Sequence, residues 1–368
     1  MEVTMRFPAT NRATNDHLDL SDIRLGFGTI RIASAARSAL RLVALSAVVL
    51  IACQPALAQN EAPSPNTSPV AELHRPANVP EGYVITPFGY FHPSCVRSLA
   101  KGERQLADGR VQYADGSVEQ NVTACSYPRY TAAGVLVNRA IATGGGKQAM
   151  NTVAPLAPEV NGWVENANAT TGSATESYGA LVAMWTVPPH PSANDGQVLF
   201  FFPGLEDIYN AESILQPVME WYGGQWSIVS WNCCIKGVAT NSQSVNVAPG
   251  DRIYGSITST CSPGTLSCAT WNVLSLDMTT GESTILADTL SEGQIFNWAF
   301  GGVLEPYSVV SCDDYPRDRR LSFKRITVFD ENLDPVLKPK WSIAVNKTVL
   351  PQCNYDVTHE PRAVTLDY

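Results

Sequence analysis

From Gly162 onward, the sequence is a series of short apolar runs separated by Gly, Pro, Asn and Asp. Runs such as YGALVAMWTVP, GQVLFFFPGL and ESILQPVMEW recur at short spacing, and no long amphipathic helical pattern lies between them. Strands joined by tight turns produce this pattern, because side chains alternate between the two faces of a sheet and turns need special backbone angles. The pattern predicts an all-β fold, an antiparallel β-sandwich of two packed sheets.

The composition agrees with many short strands and excludes some partners. Charged residues make up 16% of the 368 residues, well below the usual quarter, while the chain has 26 Gly and 25 Pro. The formal net charge is −9. Nucleic acid and anionic membrane surfaces attract basic stripes, so we expect neither as a partner.

A signal peptide is predicted at 37–58, where two arginines precede an apolar run that ends in Ala-Leu-Ala. The run is about half the ~20 residues that a membrane-spanning helix needs. Residues 1–36 form an extension of uncertain status and are excluded from fold reasoning. Cleavage after the signal leaves a soluble, secreted or periplasmic protein that begins at Gln59. The segment Leu-Ile-Ala-Cys ending at Cys53 also resembles a bacterial lipobox, and lipidation there would anchor the protein to a membrane.

The rest of the chain divides by composition. Residues 59–81 are rich in Pro, Asn and Ser and are predicted to be a linker. Residues 82–157 hold a small N-terminal unit, residues 158–346 the β-sandwich, and residues 347–368 a C-terminal tail.

Eight cysteines remain besides Cys53, and an even number in an exported chain predicts disulfides. Spacing favours Cys95–Cys125 and Cys261–Cys268, which leaves the vicinal Cys233 and Cys234 for Cys312 and Cys353, although eight cysteines allow 105 pairings in principle. A zinc site is the alternative, but no C-x2-C pair occurs and the histidines are scattered. We therefore expect no metal.

The segment ESILQPVMEW places polar groups inside an apolar strand. Alternation puts Gln216 and Glu220 on one face together with Ile214 and Val218, and Met219 on the other. An unpartnered buried amide costs about 1–3 kcal/mol, so this face is either exposed to solvent or lines a cleft.

Six segments in order resemble the glutamic peptidases of the eqolisin family, over about residues 162–335. They are MWTVP (184–188), FPGLEDIYNAESILQ (202–216), QWSIVSW (225–231), VAPGDRIYGSIT (247–258), GGVLEPY (301–307) and SFKRITVFDENL (322–333). The W-x-V-P and I-L-Q strands and the apolar strand that ends in Glu carry the resemblance. It implies a concanavalin-like sandwich, a prosegment within 59–157, and an endopeptidase without a cofactor that cleaves proteins or peptides at acid pH.

The resemblance also implies a catalytic pair, Gln216 and Glu305. A neutral amide can donate a hydrogen bond to the oxyanion of an attacked peptide at every pH, and a carboxylate can act as the general base. Glu220, Trp231 and Phe202 are then candidates for the wall of the substrate cleft. The chain departs from the family at Phe202, where the family has Trp, and after Glu305, where Pro replaces an acidic residue.

Two other functions compete with this one. A non-catalytic sandwich could bind carbohydrate or a protein partner through the aromatic side chains of Trp221, Tyr222, Trp226 and Trp231. A glycosidase could use a pair among the glutamates, although no compact E-x-D-x-x-E strand motif occurs. Proteolysis at acid pH separates the peptidase from both alternatives. Retention on a carbohydrate column supports the non-catalytic binding sandwich.

Overall fold

The computed structural model describes residues 75–120, 125–137, 162–210 and 213–368. These residues belong to one compact unit, Glu61–Tyr368. The predicted signal peptide at 37–58, the extension at 1–36 and most of the linker lie outside the described residues, so those predictions stay predictions. Within the described residues there is no α-helix, only three 3-10 turns at Pro93–Cys95, Ile235–Gly237 and Cys312–Asp314.

Strands are numbered along the chain, and the larger of two main sheets has nine. Its order is β21 (Ser342–Val345), β8 (Glu165–Thr170), β18 (Trp298–Tyr307), β10 (Val198–Glu206), β11 (Ile214–Tyr222), β12 (Gln225–Cys233), β13 (Ala239–Ser242) and β3 (Val96–Leu99), with β14 (Val245–Asn246) paired to β12. All neighbours in it are antiparallel except β13 and β3, which run parallel.

The second main sheet has eight strands, all antiparallel. Its order is β17 (Ser283–Leu290), β16 (Thr270–Asp277), β15 (Arg252–Ser259), β9 (Tyr178–Thr186), β19 (Arg320–Asp330), β23 (Ala363–Asp367) and β22 (Asp356–Glu360), with β20 (Pro335–Val336) paired to β19. The predicted fold class, an all-β antiparallel sandwich, is confirmed.

One apolar core lies between the two sheets. Phe201 and Met219 of the nine-stranded sheet pack there with Leu181 and Phe323 of the eight-stranded sheet, all fully buried. Along β9, β10 and β11 the core residues alternate with residues of the other face, and in β19 a register shift between Lys324 and Thr327 interrupts this alternation.

The other face of the nine-stranded sheet, called here the outer face, is buried as well. The N-terminal unit, defined as residues 75–120 and 125–137, packs on it and contributes Tyr83, Val84, Tyr90 and Phe91 to a second apolar cluster. The unit contains a four-stranded sheet and a two-stranded sheet. Their strands are β1 (Val84–Thr86), β2 (Gly89–Phe91), β6 (Arg129–Tyr130) and β7 (Leu136–Val137), and β4 (Arg104–Gln105) and β5 (Val111–Gln112).

The sandwich extends beyond the boundary predicted at residue 346. Residues 347–368, predicted to be a tail, contain β22 and β23, and β23 pairs with β19 from Arg320 to Lys324. Leu366 and Tyr368 are buried in the core between the sheets. The short alternating sequence AVTLD therefore forms a strand because its apolar side chains complete that core.

All eight cysteines among the described residues form disulfides. Cys95–Cys125 and Cys261–Cys268 pair as predicted. The prediction for the other four is wrong, because Cys233 bonds to its neighbour Cys234, and Cys312 bonds to Cys353. The last bond ties the β22–β23 segment to the turn after β18. Disulfides persist in oxidising compartments, which fits an exported protein.

Candidate active site

Gln216 and Glu305 lie on the outer face of the nine-stranded sheet, on strands β11 and β18, with β10 between them. Their strand neighbours Ile214, Val218 and Val303 belong to the apolar cluster on that face. The predicted alternation of ESILQPVMEW is therefore present, and the face is not a solvent face. Both side chains are fully buried.

The strand register fixes the spacing of these groups. Glu305 and Glu220 both lie opposite Phe200, so the two carboxyl groups occupy one row across three strands. Gln216 lies four residues from Glu220, about 13 Å along the strand direction, and two strands, about 10 Å, from β18. Between the rows of Glu305 and Gln216, the register of β18 shifts at Phe300 and Gly302. Such a bulge bends the strand between the two groups.

Two donors hold the carboxyl group of Glu305. The Trp163 Nε1–H donates to Oε2 at 2.9 Å, and the Tyr307 hydroxyl donates to Oε1 at 2.5 Å. Burial raises the pKa of Glu305 to about 8, while the bonds from Tyr307 and Trp163 act in the opposite direction. In this arrangement the carboxyl is mostly protonated at neutral pH, because desolvation of the charged form outweighs the two donors.

The amide of Gln216 has no such partners. Its Oε1 and Nε2 are buried without a hydrogen bond among the described residues. The amide therefore lowers the stability of the fold, and it is free to bond a group that enters the outer face.

The three predicted cleft residues also lie on this face. Trp231 is opposite Gln216 on β12, and Phe202 packs edge-on against Trp163 with ring centres 5.8 Å apart. Glu220 accepts a hydrogen bond from Ser227 Oγ at 2.9 Å, and burial raises the pKa of Glu220 to about 7. The structure brings all five predicted residues to one face, but no hydrogen bond links Gln216 to Glu305 among the described residues.

The N-terminal unit covers Glu305. Tyr90 packs edge-on against Tyr307 with ring centres 5.5 Å apart. At Gly162, whose φ is +101°, a Cβ atom would lie 2.7 Å from Ala132 Cβ and 3.1 Å from Glu305 Oε1. Only glycine permits this close approach of the unit to the carboxyl. The unit therefore contributes to the desolvation of Glu305, together with Trp163 and Tyr307 of the sandwich.

Sequence reasoning missed the two donors to Glu305. Tyr307 could have been found, because it lies two residues after Glu305 and so shares its face of the strand. Trp163 had no such signal, since the pairing of β8 with β18 brings it to the site across 142 residues of sequence.

The aromatic residues of the carbohydrate-binding alternative do not form an exposed platform. Trp221, Trp226 and Trp231 are buried, and the first two belong to the core between the sheets. Among the described residues, no group of three or more His, Cys, Asp and Glu side chains has the arrangement of a metal site. The same part of the chain has no helix with the length and apolarity needed to cross a bilayer.

No protein-family model matches the chain, and no curated protein matches it. Among solved structures, it is similar to scytalidoglutamic peptidase bound to a peptide-based transition-state analogue, with 16% identity and a TM-score of 0.42 over 56% of this chain and 98% of that one. It is also similar to SCP-B, a member of the eqolisin family in complex with the tripeptide Ala-Ile-His, with 16% identity and a TM-score of 0.40 over 56% of this chain and 98% of that one. For aspergilloglutamic peptidase from Aspergillus niger, the identity is 16% and the TM-score is 0.36, over 46% of this chain and 98% of that one.

The buried carboxyls predict how stability depends on pH. Burial raises the pKa of Glu305 from its ordinary value of 4.5 to about 8, and raises the pKa of Glu165 to about 10. The folded protein therefore binds more protons than the unfolded chain above pH 5, so the free energy of unfolding should fall as pH rises from about 5 to 8 and beyond. Chemical denaturation at pH 5 and pH 8 measures this. Glu305→Gln should lose part of the slope, and a stability that rises over this interval would contradict the prediction.

The unpartnered amide gives a second prediction. Gln216→Met keeps an unbranched side chain and removes the buried amide, so the free energy of unfolding should rise by about 1–3 kcal/mol. The matched control is Gln197, which is equally buried but bonds the main chain through both amide atoms. Gln197→Met should lower stability. Equal losses for the two variants would show that Gln216 has a partner in solution.

Proposed function

We propose that this protein is a secreted, acid-acting endopeptidase that hydrolyses peptide bonds with Glu305 as general base and Gln216 as oxyanion donor. The observation that supports it best is the contrast between two polar groups on one apolar face. Glu305 is oriented by two donors, and Gln216 has an amide with no partner among the described residues. Neither arrangement serves stability, since a buried carboxyl and an unsatisfied amide both cost free energy.

The chemistry follows from the two groups. The Glu305 carboxylate accepts a proton from a water molecule as the water oxygen attacks the peptide carbonyl. The Gln216 Nε2–H donates to the oxygen that becomes negative in the tetrahedral intermediate. Glu305 then returns the proton to the leaving amine, and the C–N bond breaks. Because their rows are about 13 Å apart along the strands, both groups reach one peptide bond only if the sheet bends at the register shift between Phe300 and Gly302 and brings them together.

The other residues of the face serve as cleft walls in this proposal. Phe202 and Trp231 offer apolar surface to substrate side chains, and Glu220 offers a carboxyl in the row of Glu305. The substrates are proteins or peptides. We propose neither a nucleic-acid partner nor a membrane, apart from lipidation at Cys53, which lies outside the described residues.

In this proposal, the N-terminal unit keeps the enzyme inactive until the unit leaves the outer face. While it covers the outer face, no substrate reaches Glu305, and burial keeps the pKa of that carboxyl near 8. A protonated carboxyl cannot act as a base, so the covered protein is inactive at acid pH for two reasons. When the unit leaves, water reaches the outer face and lowers the desolvation that raises the pKa of Glu305, and the two remaining donors favour the charged form. We therefore propose that the unit is the prosegment.

A pH–rate series on a denatured protein substrate tests the catalytic pair. Glu305→Gln should abolish hydrolysis at every pH, because no base remains. Gln216→Ala should lower turnover roughly 10²–10³-fold and leave the acid limb in place, because the amide does not titrate. Metal chelators and reagents for serine or cysteine should have no effect.

Ser322→Ala is the control, since it removes a hydroxyl that bonds Thr365 within the eight-stranded sheet, away from the outer face. Full activity of Glu305→Gln would show that the pair is wrong. If the wild type hydrolyses nothing at any pH, even after removal of residues 59–157, and is retained on a carbohydrate column, the binding-sandwich alternative replaces the peptidase.

Latency predicts a delay before hydrolysis begins. Tyr90→Ala removes the ring that packs on Tyr307 and weakens the attachment of the unit, so it should shorten the lag after the full chain is mixed with substrate at one fixed acid pH. Tyr113→Ala is the control, because this tyrosine belongs to the same unit but is exposed. A wild type that starts without a lag, or equal lags for all three proteins, would contradict the role of the unit.

A further inference from the structure

Tyr307 is held against Glu305 by contacts from both the sandwich and the N-terminal unit. It follows Glu305 by two residues on β18, so the two side chains are neighbours on the outer face. Its ring packs edge-on against Phe200 of β10, with centres 5.9 Å apart, and against Tyr90 of the N-terminal unit. The contact with Phe200 belongs to the sheet and survives loss of the unit.

The two donors leave Glu305 with free lone pairs in fixed directions. A carboxylate has about four acceptor sites, two on each oxygen. Tyr307 occupies one on Oε1 and Trp163 one on Oε2, so rotation of the carboxyl is restrained while each oxygen keeps a site for water.

Among the described residues, Tyr307 and Trp163 are the groups whose hydrogen bonds favour the charged form of Glu305. The titratable side chains that face it are Tyr307 on its own strand, Tyr90 from the N-terminal unit, and Glu220 on β11 beyond Phe200. Phe200 on β10 and Trp163 before β8 do not titrate. Burial and the neighbouring Glu305 hold the pKa of Tyr307 well above its ordinary value, so the phenol stays a donor at every pH at which the carboxyl titrates.

We infer that Tyr307 is a positioning residue for the base: its hydroxyl orients the Glu305 carboxylate and stabilises its charged form, without itself contacting the scissile bond. The inference rests on the proposed function for its kinetic consequence and on the geometry alone for its effect on the carboxyl. The phenol loses no proton during the reaction, because the proton passes between water, Glu305 and the leaving amine.

Tyr307→Phe tests it, since this change removes only the hydroxyl. A hydrogen bond to a charged group corresponds to a shift of about one to two pH units, so the acid limb of the rate profile should move up by that amount. Above the limb, kcat should recover to within a few-fold of wild type, with KM unchanged. Trp163→Phe should move the limb in the same direction. Tyr355→Phe is the control, because that buried hydroxyl bonds Tyr315 instead and should leave the limb in place.

A second measurement separates this inference from the proposed function. Infrared difference titration of the full chain, with Glu305→Gln to assign the band, gives the protonation of this carboxyl without substrate. A raised midpoint in Tyr307→Phe supports the inference even if no peptide is hydrolysed, and in that case only the peptidase is wrong. An unmoved midpoint, or an acid limb that stays in place in an active Tyr307→Phe enzyme, overturns the inference and leaves the proposed function standing.

Discussion

The central strands of the nine-stranded sheet are largely buried on both faces, and the character of the site depends on this. Strand β10 is buried at every position from Val198 to Glu206, and its sequence before that glutamate, VLFFFPGL, is a continuous apolar run rather than an alternating one. A strand of an open sandwich would show polar residues on its outer side. Because the outer faces of these strands are largely buried, a polar group there costs free energy unless it has a hydrogen-bond partner.

The polar groups of that face differ in how many hydrogen-bond donors they have. Glu305 has two donors and still has a raised pKa, Glu220 has one donor from Ser227, and Gln216 has none. Desolvation is the largest influence on both carboxyls, so what covers the face decides their charge. In the proposed mechanism, the contact of the N-terminal unit with the sheet therefore affects both the access of substrate to Glu305 and the ionisation of that carboxyl.

The sequence correctly predicted those features that depend on residues close together along the chain. Alternation in ESILQPVMEW placed Gln216 and Glu220 on the correct common face, and turn-separated apolar runs gave the sandwich. Contacts between distant segments were not predictable in the same way. Trp163 reaches Glu305 only through strand pairing, β23 becomes a strand only because the core accepts Leu366, and the bond between Cys233 and Cys234 is not one that spacing favours. The packing of the N-terminal unit on the outer face was not predictable either, because it too joins segments that are distant in the sequence.

The parallel pairing of β3 with β13 has a consequence for assembly. β3 is the last strand of the nine-stranded sheet, and the main chain of β13 is bonded to it from Ala239 to Ser242. Without β3, those N–H and C=O groups would form an open edge, and open edges recruit strands from other molecules. Removal of the N-terminal unit would therefore move the edge of the sheet from the four-residue strand β3 to β13, where a strand from another molecule could pair.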